Sequence, residues 1–259
     1  MQSLNRGAFT LKKALLLCLY VAGFRFAAEL LFYLFHLSIG FVPSFLFLGI
    51  VLFTANGMAK GELRRIIAWR SVPISIFAAV LVMFFGMEII RSELSNFFQM
   101  LLPVPDGFFD GWFYEPENAL LDIIASALFP GFTEEILFRG IIARRFYRVY
   151  SPRRAILYSA MLFGIFHLNP WQALSAFLGG IFYGWMYFQY RNIWLCMVMH
   201  AYHNILVSYM PYPYVDVGNS VFVELWRHPL WFDLLGLLLF GIGLAALIVL
   251  SGKSKAEAV

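Results

Sequence analysis

The sequence predicts an all-α, polytopic membrane protein of about eight transmembrane helices, and three observations lead there. Of its 259 residues, 61% are apolar and only 13% are charged, about half the charged share of a soluble domain. The apolar residues fall in runs long enough to span a bilayer, for which about 20 residues suffice. The charges gather in short clusters between those runs. A single integral membrane domain over residues 1–259 follows, with membrane lipid as its surrounding partner. The net charge of +4 does not point to nucleic acid, because the basic residues do not line one face. No nucleic-acid partner is expected.

The runs place spans near 14–37, 39–58, 73–102, 118–144, 154–168, 171–190, 192–211 and 230–250. The first follows a basic start (Arg6, Lys12, Lys13) but has no small-residue cleavage site and outlasts a normal h-region, so it reads as a span rather than a signal peptide. The third is the least clear. Its clean apolar stretch from Pro73 to Met87 is short, and Glu88, Arg91 and Glu93 follow, so it either ends early or continues as a partly buried helix. Cys18 and Cys196 sit inside apolar runs with no second thiol or histidine at ligand spacing and read as packing residues.

Lys and Arg are enriched in cytoplasmic loops. Lys60, Arg64, Arg65 and Arg70 between spans two and three, and Arg144, Arg145, Arg148, Arg153 and Arg154 between four and five, assign both loops to the cytoplasm. The segment with Asp106, Asp110, Glu115 and Glu117 falls on the opposite side, and the tail with Lys253 and Lys255 returns. The expectation is a multi-pass cell-membrane protein with both termini cytoplasmic. Aromatic residues make up 19% of the chain and are spread over every span, and the run Phe108 to Tyr114 reads as an interfacial belt.

An ionisable group inside a span costs about 2.5–3.5 kcal/mol on insertion scales, so each one asks for a partner or a task. Arg25 and Glu29, four residues apart, can neutralise each other on one helix face. Glu88, Arg91 and Glu93 stand near a span end, where snorkelling lowers the cost. Glu134 and Glu135 are different. They lie about 15 Å of helix from the basic loop, beyond the reach of snorkelling. Adjacent helical residues point about 100° apart, whereas Glu135 and Arg139 are neighbours on one face. Arg139 therefore goes chiefly to Glu135, and Glu134 is left as the less neutralised carboxylate, the better general base.

Two further segments carry polar groups to compatible depths. His167 ends the otherwise apolar run Phe163-Gly164-Ile165-Phe166, and His200 and Asn204 stand one turn apart in span seven, both able to donate to the same point. His203 is rotated about 60° from His200 and stays outside the set.

These residues form a pattern. Glu134-Glu135-Ile136-Leu137-Phe138-Arg139 reads EExxxR, Phe163 to His167 reads FxxxH, and His200 to Asn204 reads HxxxN, in that order on separate helices. The chain thereby resembles the CAAX prenyl protease and bacteriocin-processing (Abi) family of glutamate-type intramembrane proteases, over about residues 118–210. The run Gly179-Gly180-Ile181-Phe182-Tyr183-Gly184 looks like that family's small-residue helix, where close approach needs glycine. The resemblance implies an eight-helix fold around an intramembrane catalytic cavity and an endopeptidase acting on a membrane-anchored or lipidated protein or peptide. It implies a water activated by Glu134 and His167, an oxyanion held by His200 and Asn204, and Arg139 orienting a supporting Glu135. No cofactor or resident metal is expected.

Two alternatives use the same residues. Two Glu and two His could hold zinc, although the HExxH spacing is absent and Asn204 and Arg139 suit hydrogen-bond donation better. Buried Glu, His and Arg also mark ion-coupled transporters, although the repeats and broken helices of such proteins are not evident.

Overall fold

The structure is a computed structural model that describes residues 9–34, 49–51, 53, 62–105, 123–209 and 229–256. The described residues are helical throughout their regular structure. The second predicted span lies outside them except for 49–51 and 53, as do the acidic segment from Asp106 to Glu117, the aromatic run Phe108 to Tyr114, and the side chains of Arg25 and Glu29. The helices are α1 (Leu11–Leu34), the short α2 (Glu62–Ile66), α3 (Ile74–Leu101), α4 (123–146), α5 (Pro152–Phe166), α6 (Pro170–Tyr190), α7 (Ile193–Tyr209) and α8 (Leu230–Ala256).

The chain divides into two compact units. One comprises residues 1–69 and 115–208, and the other 70–114 and 209–259. The second unit is built on α3 and α8, which pack at glycines. A Cβ at Gly86 would strike the backbone nitrogen of Phe240, and one at Gly236 would lie 2.7 Å from Cγ2 of Ile89. Small residues at such contacts let apolar helices approach closely. The third span does not end early, because α3 runs unbroken to Leu101. Two of its three charges are not left to snorkelling. Glu88 and Arg91 are both buried and form an ion pair one turn apart, while Glu93 accepts from Nδ2 of Asn96 at 3.3 Å. Pairing, rather than exposure, neutralises Glu88 and Arg91, whereas Glu93 is only half-buried. Two helices of this unit, Ile74–Leu101 and Leu230–Ser251, are long and apolar enough to cross a membrane.

The first unit carries the motifs. Its α4 is a composite in which about two α-helical turns, Phe129–Glu135, stand between two π-helical stretches, Ile123–Leu128 and Ile136–Ala143. Widened turns of this kind recur at functional sites, and here one begins immediately after the paired glutamates. The next three helices are set by local signals. Pro152 and Pro170 occupy first-turn positions of α5 and α6, where a missing N–H is harmless. Asn169 caps α6 by accepting from the backbone N–H of Gln172 at 2.8 Å, and Asn192 caps α7 by accepting from Leu195 at 3.0 Å, as short polar side chains do at helix starts. α6 is bracketed by Leu168 and Arg191, which both have left-handed backbones, with φ of 58° and 51°.

Candidate active site

Burial of charge begins on α4. Glu134, Glu135 and Arg139 are all buried, and Arg139 is fully so. As the i, i+4 spacing indicates, Nη1 of Arg139 donates to Oε1 of Glu135 at 2.7 Å. Its Nη2 reaches another helix and donates to the carbonyl of Gly180 at 3.1 Å. The guanidinium is sandwiched by aromatics, 4.6 Å from the ring centroid of Phe163 and 5.3 Å from that of Tyr183. A desolvated cation over ring faces gains from their quadrupoles.

His200 arrives from α7. Its Nδ1 lies 2.8 Å from the same Oε1 of Glu135, and its Nε2 lies 3.8 Å from Oε2 of Glu134. One imidazole thus touches both carboxylates, unequally, as two side chains pointing about 100° apart require. Tyr183 stacks on this ring at 5.1 Å and 18°, and Phe163 meets it edge-on at 5.5 Å. Close approach of α4 and α7 is made possible by Gly131, whose added Cβ would fall 2.9 Å from the backbone nitrogen of Ala201.

The two carboxylates are treated differently. Oε1 of Glu135 accepts from both Arg139 and His200. No hydrogen bond engages Glu134 among the described residues, and its side chain keeps 6% exposure whereas that of Glu135 has none.

His167 joins through Phe163. Its Nδ1 is 2.9 Å from the Phe163 carbonyl oxygen, and the two rings meet edge-on at 5.0 Å. With Nδ1–H donated to that carbonyl, Nε2 is the basic nitrogen. Counted along α5, His167 lies further from the basic loop than Glu134 does along α4. The ring turns back along α5, in the direction that Cβ atoms tilt, as far as the Phe163 carbonyl. The tight 167–169 turn fixes it there, since Nδ2 of Asn169 donates to the His167 carbonyl at 3.1 Å.

Asn204 is placed on the first π stretch of α4. Its Nδ2 donates to the carbonyl of Ala127 at 3.3 Å, which leaves one amide N–H for another acceptor. The structure therefore brings Glu134, Glu135, Arg139 and His200 into direct contact, ties His167 to them through Phe163, and seats Asn204 one turn beyond His200. Among the described residues, no group of three or more His, Cys, Asp or Glu side chains is arranged to hold a metal ion.

Three contributors were not singled out as site residues by their sequence. Tyr183 and Phe163 wall the cluster, and Gly180 supplies a main-chain acceptor. Phe163 was visible as the first letter of FxxxH, and Gly180 as part of the glycine run. That run does serve close approach. A Cβ on Gly180 would lie 2.9 Å from Cα of Ala160 and 3.3 Å from Nη2 of Arg139. Gly180→Ala is expected to cost about 1–3 kcal/mol by overpacking, read as a lowered unfolding midpoint in detergent. A midpoint equal to the wild type would show that α5 and α6 have room the structure does not contain.

The segment that carries all three motifs was compared with known families. Residues 116–206 match the Rce1-like family, described as type II CAAX prenyl endopeptidase Rce1-like. This is the family the motifs resemble, and the description is that of a peptidase. The Rce1-like segment contains α4 to α6 and α7 as far as Leu206, so it includes every site residue named above, and it lies within the first unit. Comparison with curated proteins and with solved structures gave no match.

Proposed function

We propose that the protein is a multi-pass intramembrane endopeptidase of the glutamate type that hydrolyses a peptide bond in a membrane-anchored or lipidated protein or peptide. The observation that carries the reading is the asymmetry of the paired glutamates within an Rce1-like segment. Glu135 is committed to Arg139 and His200, while Glu134 has no hydrogen bond among the described residues and faces His200 at 3.8 Å.

In this reading Glu134 takes a proton from a water molecule that is also oriented by Nε2 of His167. The hydroxide oxygen forms a bond to the carbonyl carbon, and the carbonyl oxygen becomes an oxyanion. The free N–H of Asn204 and Nε2 of His200 are the donors offered to it. Donation from Nε2 requires a proton on that nitrogen, with Oε1 of Glu135 as the anion that faces Nδ1. The C–N bond then breaks as Glu134 returns its proton to the leaving nitrogen. Arg139 is a positioning residue, holding Glu135 through its Nη1 while its Nη2 is anchored on the Gly180 carbonyl.

Membrane placement is supported by the polarity of α5. Leu157, Met161 and Ile165 are exposed while Ser159, Phe163 and Gly164 are buried, and Oγ of Ser159 donates inward to the carbonyl of Phe138 at 3.0 Å. A helix with apolar residues outward and its hydroxyl inward suits a lipid surround. The clustering of arginines between α4 and α5 supports a cytoplasmic assignment for that end. The family match lends nothing to the ion-coupled alternative.

The test is a comparison of new protein termini in membranes from cells carrying the wild type, Glu134→Ala or His167→Ala at matched expression. Termini present only with the wild type are expected, and their sequences would name the substrate class. Identical termini in all three, in a host that supplies anchored substrates, would refute hydrolysis by this site.

A further inference from the structure

The α5–α6 hairpin returns the chain to the end it left, so Arg191 comes back beside the basic segment 144–154. There it helps close a cavity of about 280 Å³, whose walls include Tyr147, Arg153, Trp185, Phe188, Gln189 and Arg191. That volume is slightly below the range of drug-sized pockets and suits a headgroup. Among the described residues, no carboxylate lines it. Arg153 makes no ion pair or hydrogen bond among the described residues.

Arg191 is held there under backbone constraint. It closes α6 with φ 51° and ψ 29°, a left-handed conformation that glycine adopts freely and arginine rarely does. Its guanidinium lies 4.8 Å from the ring centroid of Tyr147 and 5.1 Å from that of Phe188. Contact with ring faces steadies the charge without consuming the N–H donors that suit phosphate oxygens. The first turn of α5 has no side-chain cap and adds its partial positive charge at the same end.

The occupant is indicated by what lies below Arg153. Steps of four along α5 lead from Arg153 to Leu157, Met161 and Ile165, and the three apolar side chains are 41%, 46% and 57% exposed. Twelve residues of helix extend about 18 Å, close to half the hydrocarbon thickness of a bilayer. A charged head over an apolar stripe of one leaflet's depth is the complement of a phospholipid. A free anion would leave the stripe uncovered.

We propose that this cavity binds the phosphate of an anionic glycerophospholipid, with Arg153 and Arg191 as its ligands and an acyl chain along the Leu157, Met161 and Ile165 stripe. The site is distinct from the candidate active site, since Arg191 lies about 16 Å along α6 from Gly180. Basic pockets between membrane helices are suited to such headgroups.

The experiment uses the full chain in neutral detergent and measures the binding of phosphatidylglycerol, phosphatidylcholine and inorganic phosphate by native mass spectrometry and thermal shift. The wild type should bind phosphatidylglycerol in preference to phosphatidylcholine. Arg153→Gln and Arg191→Gly should each weaken that binding about fivefold, the effect of one arginine at an anionic surface. Arg191→Gly relaxes the left-handed backbone, so its unfolding midpoint without lipid should be at least that of the wild type. Arg64→Gln, on an exposed arginine of α2 outside the cavity, should leave binding unchanged. An equal loss with Arg64→Gln would mean diffuse attraction and overturn the site. Wild-type binding by the two cavity variants would also overturn it, as would an equal thermal shift with inorganic phosphate. None of these readings depends on proteolysis, so the lipid site and the peptidase assignment fail separately.

Discussion

Glu134→Gln should lower hydrolysis by about 10²–10⁴-fold, the range associated with a positioned general base, while the folded protein remains at least as stable as the wild type. The two halves of the result come from one observation. Glu134 is buried, yet among the described residues no hydrogen bond engages its carboxylate. A buried charge held that way is a burden on the fold, and a neutral amide of the same shape relieves it. Sites kept for chemistry at the expense of stability commonly behave so. The measurement pairs hydrolysis of a cleaved substrate with an unfolding midpoint in detergent. Loss of activity together with a large drop in midpoint would mean that Glu134 is structural. Retained activity would move the base role to Glu135.

Arg139→Met should behave in the opposite way and cost about 3–5 kcal/mol, the range seen when one partner of a buried ion pair is removed. Glu135 would keep its charge at zero exposure, with His200 as the remaining donor. Methionine fills much of the volume between Phe163 and Tyr183, so the loss is electrostatic more than steric. Removing the charge as well, in Glu135→Gln/Arg139→Met, should restore a large part of the stability while activity stays low, because His200 would no longer be held against a carboxylate. Unfolding midpoints of the two single variants and the double variant close the thermodynamic cycle. Additive losses would argue that the 2.7 Å contact contributes little.

The pairing of Arg139 with Glu135 was legible because helical spacing alone settles which of two adjacent carboxylates an arginine four residues on can reach. The inward position of His200 was legible from its letter in an apolar run. Other parts were hidden for physical reasons. The acceptor on Gly180 is a main-chain carbonyl, and no residue letter announces it. Tyr183 lies in a helix full of aromatics, where composition cannot say which ring faces a histidine. The π stretches of α4 leave the apolar pattern nearly unchanged, since they alter hydrogen-bond partners rather than residue types. His167 lies further along its helix than Glu134 does by residue count, and that count gives the depth of Cα rather than of the ring, which turns back to the Phe163 carbonyl. The fate of Glu88 and Arg91 was half visible. Their spacing allowed an ion pair, but the length of α3 that buries them depended on packing against the glycines of α8.

Oε1 of Glu135 accepts a donor from α4 and another from α7, while the arginine it holds bonds to α6 and lies against a ring of α5. Four helices are thus tied through one oxygen and one guanidinium, and this bears on how such a lineage can drift. With Glu134 as the proposed base, a descendant that abandons catalysis can do so in one step there and keep its architecture. At Glu135 or Arg139 a single step passes through a poorly folded intermediate, so those two positions can change only together, or after stabilising changes elsewhere. An inactive descendant should therefore still carry the glutamate–arginine pair long after it has lost the neighbouring glutamate.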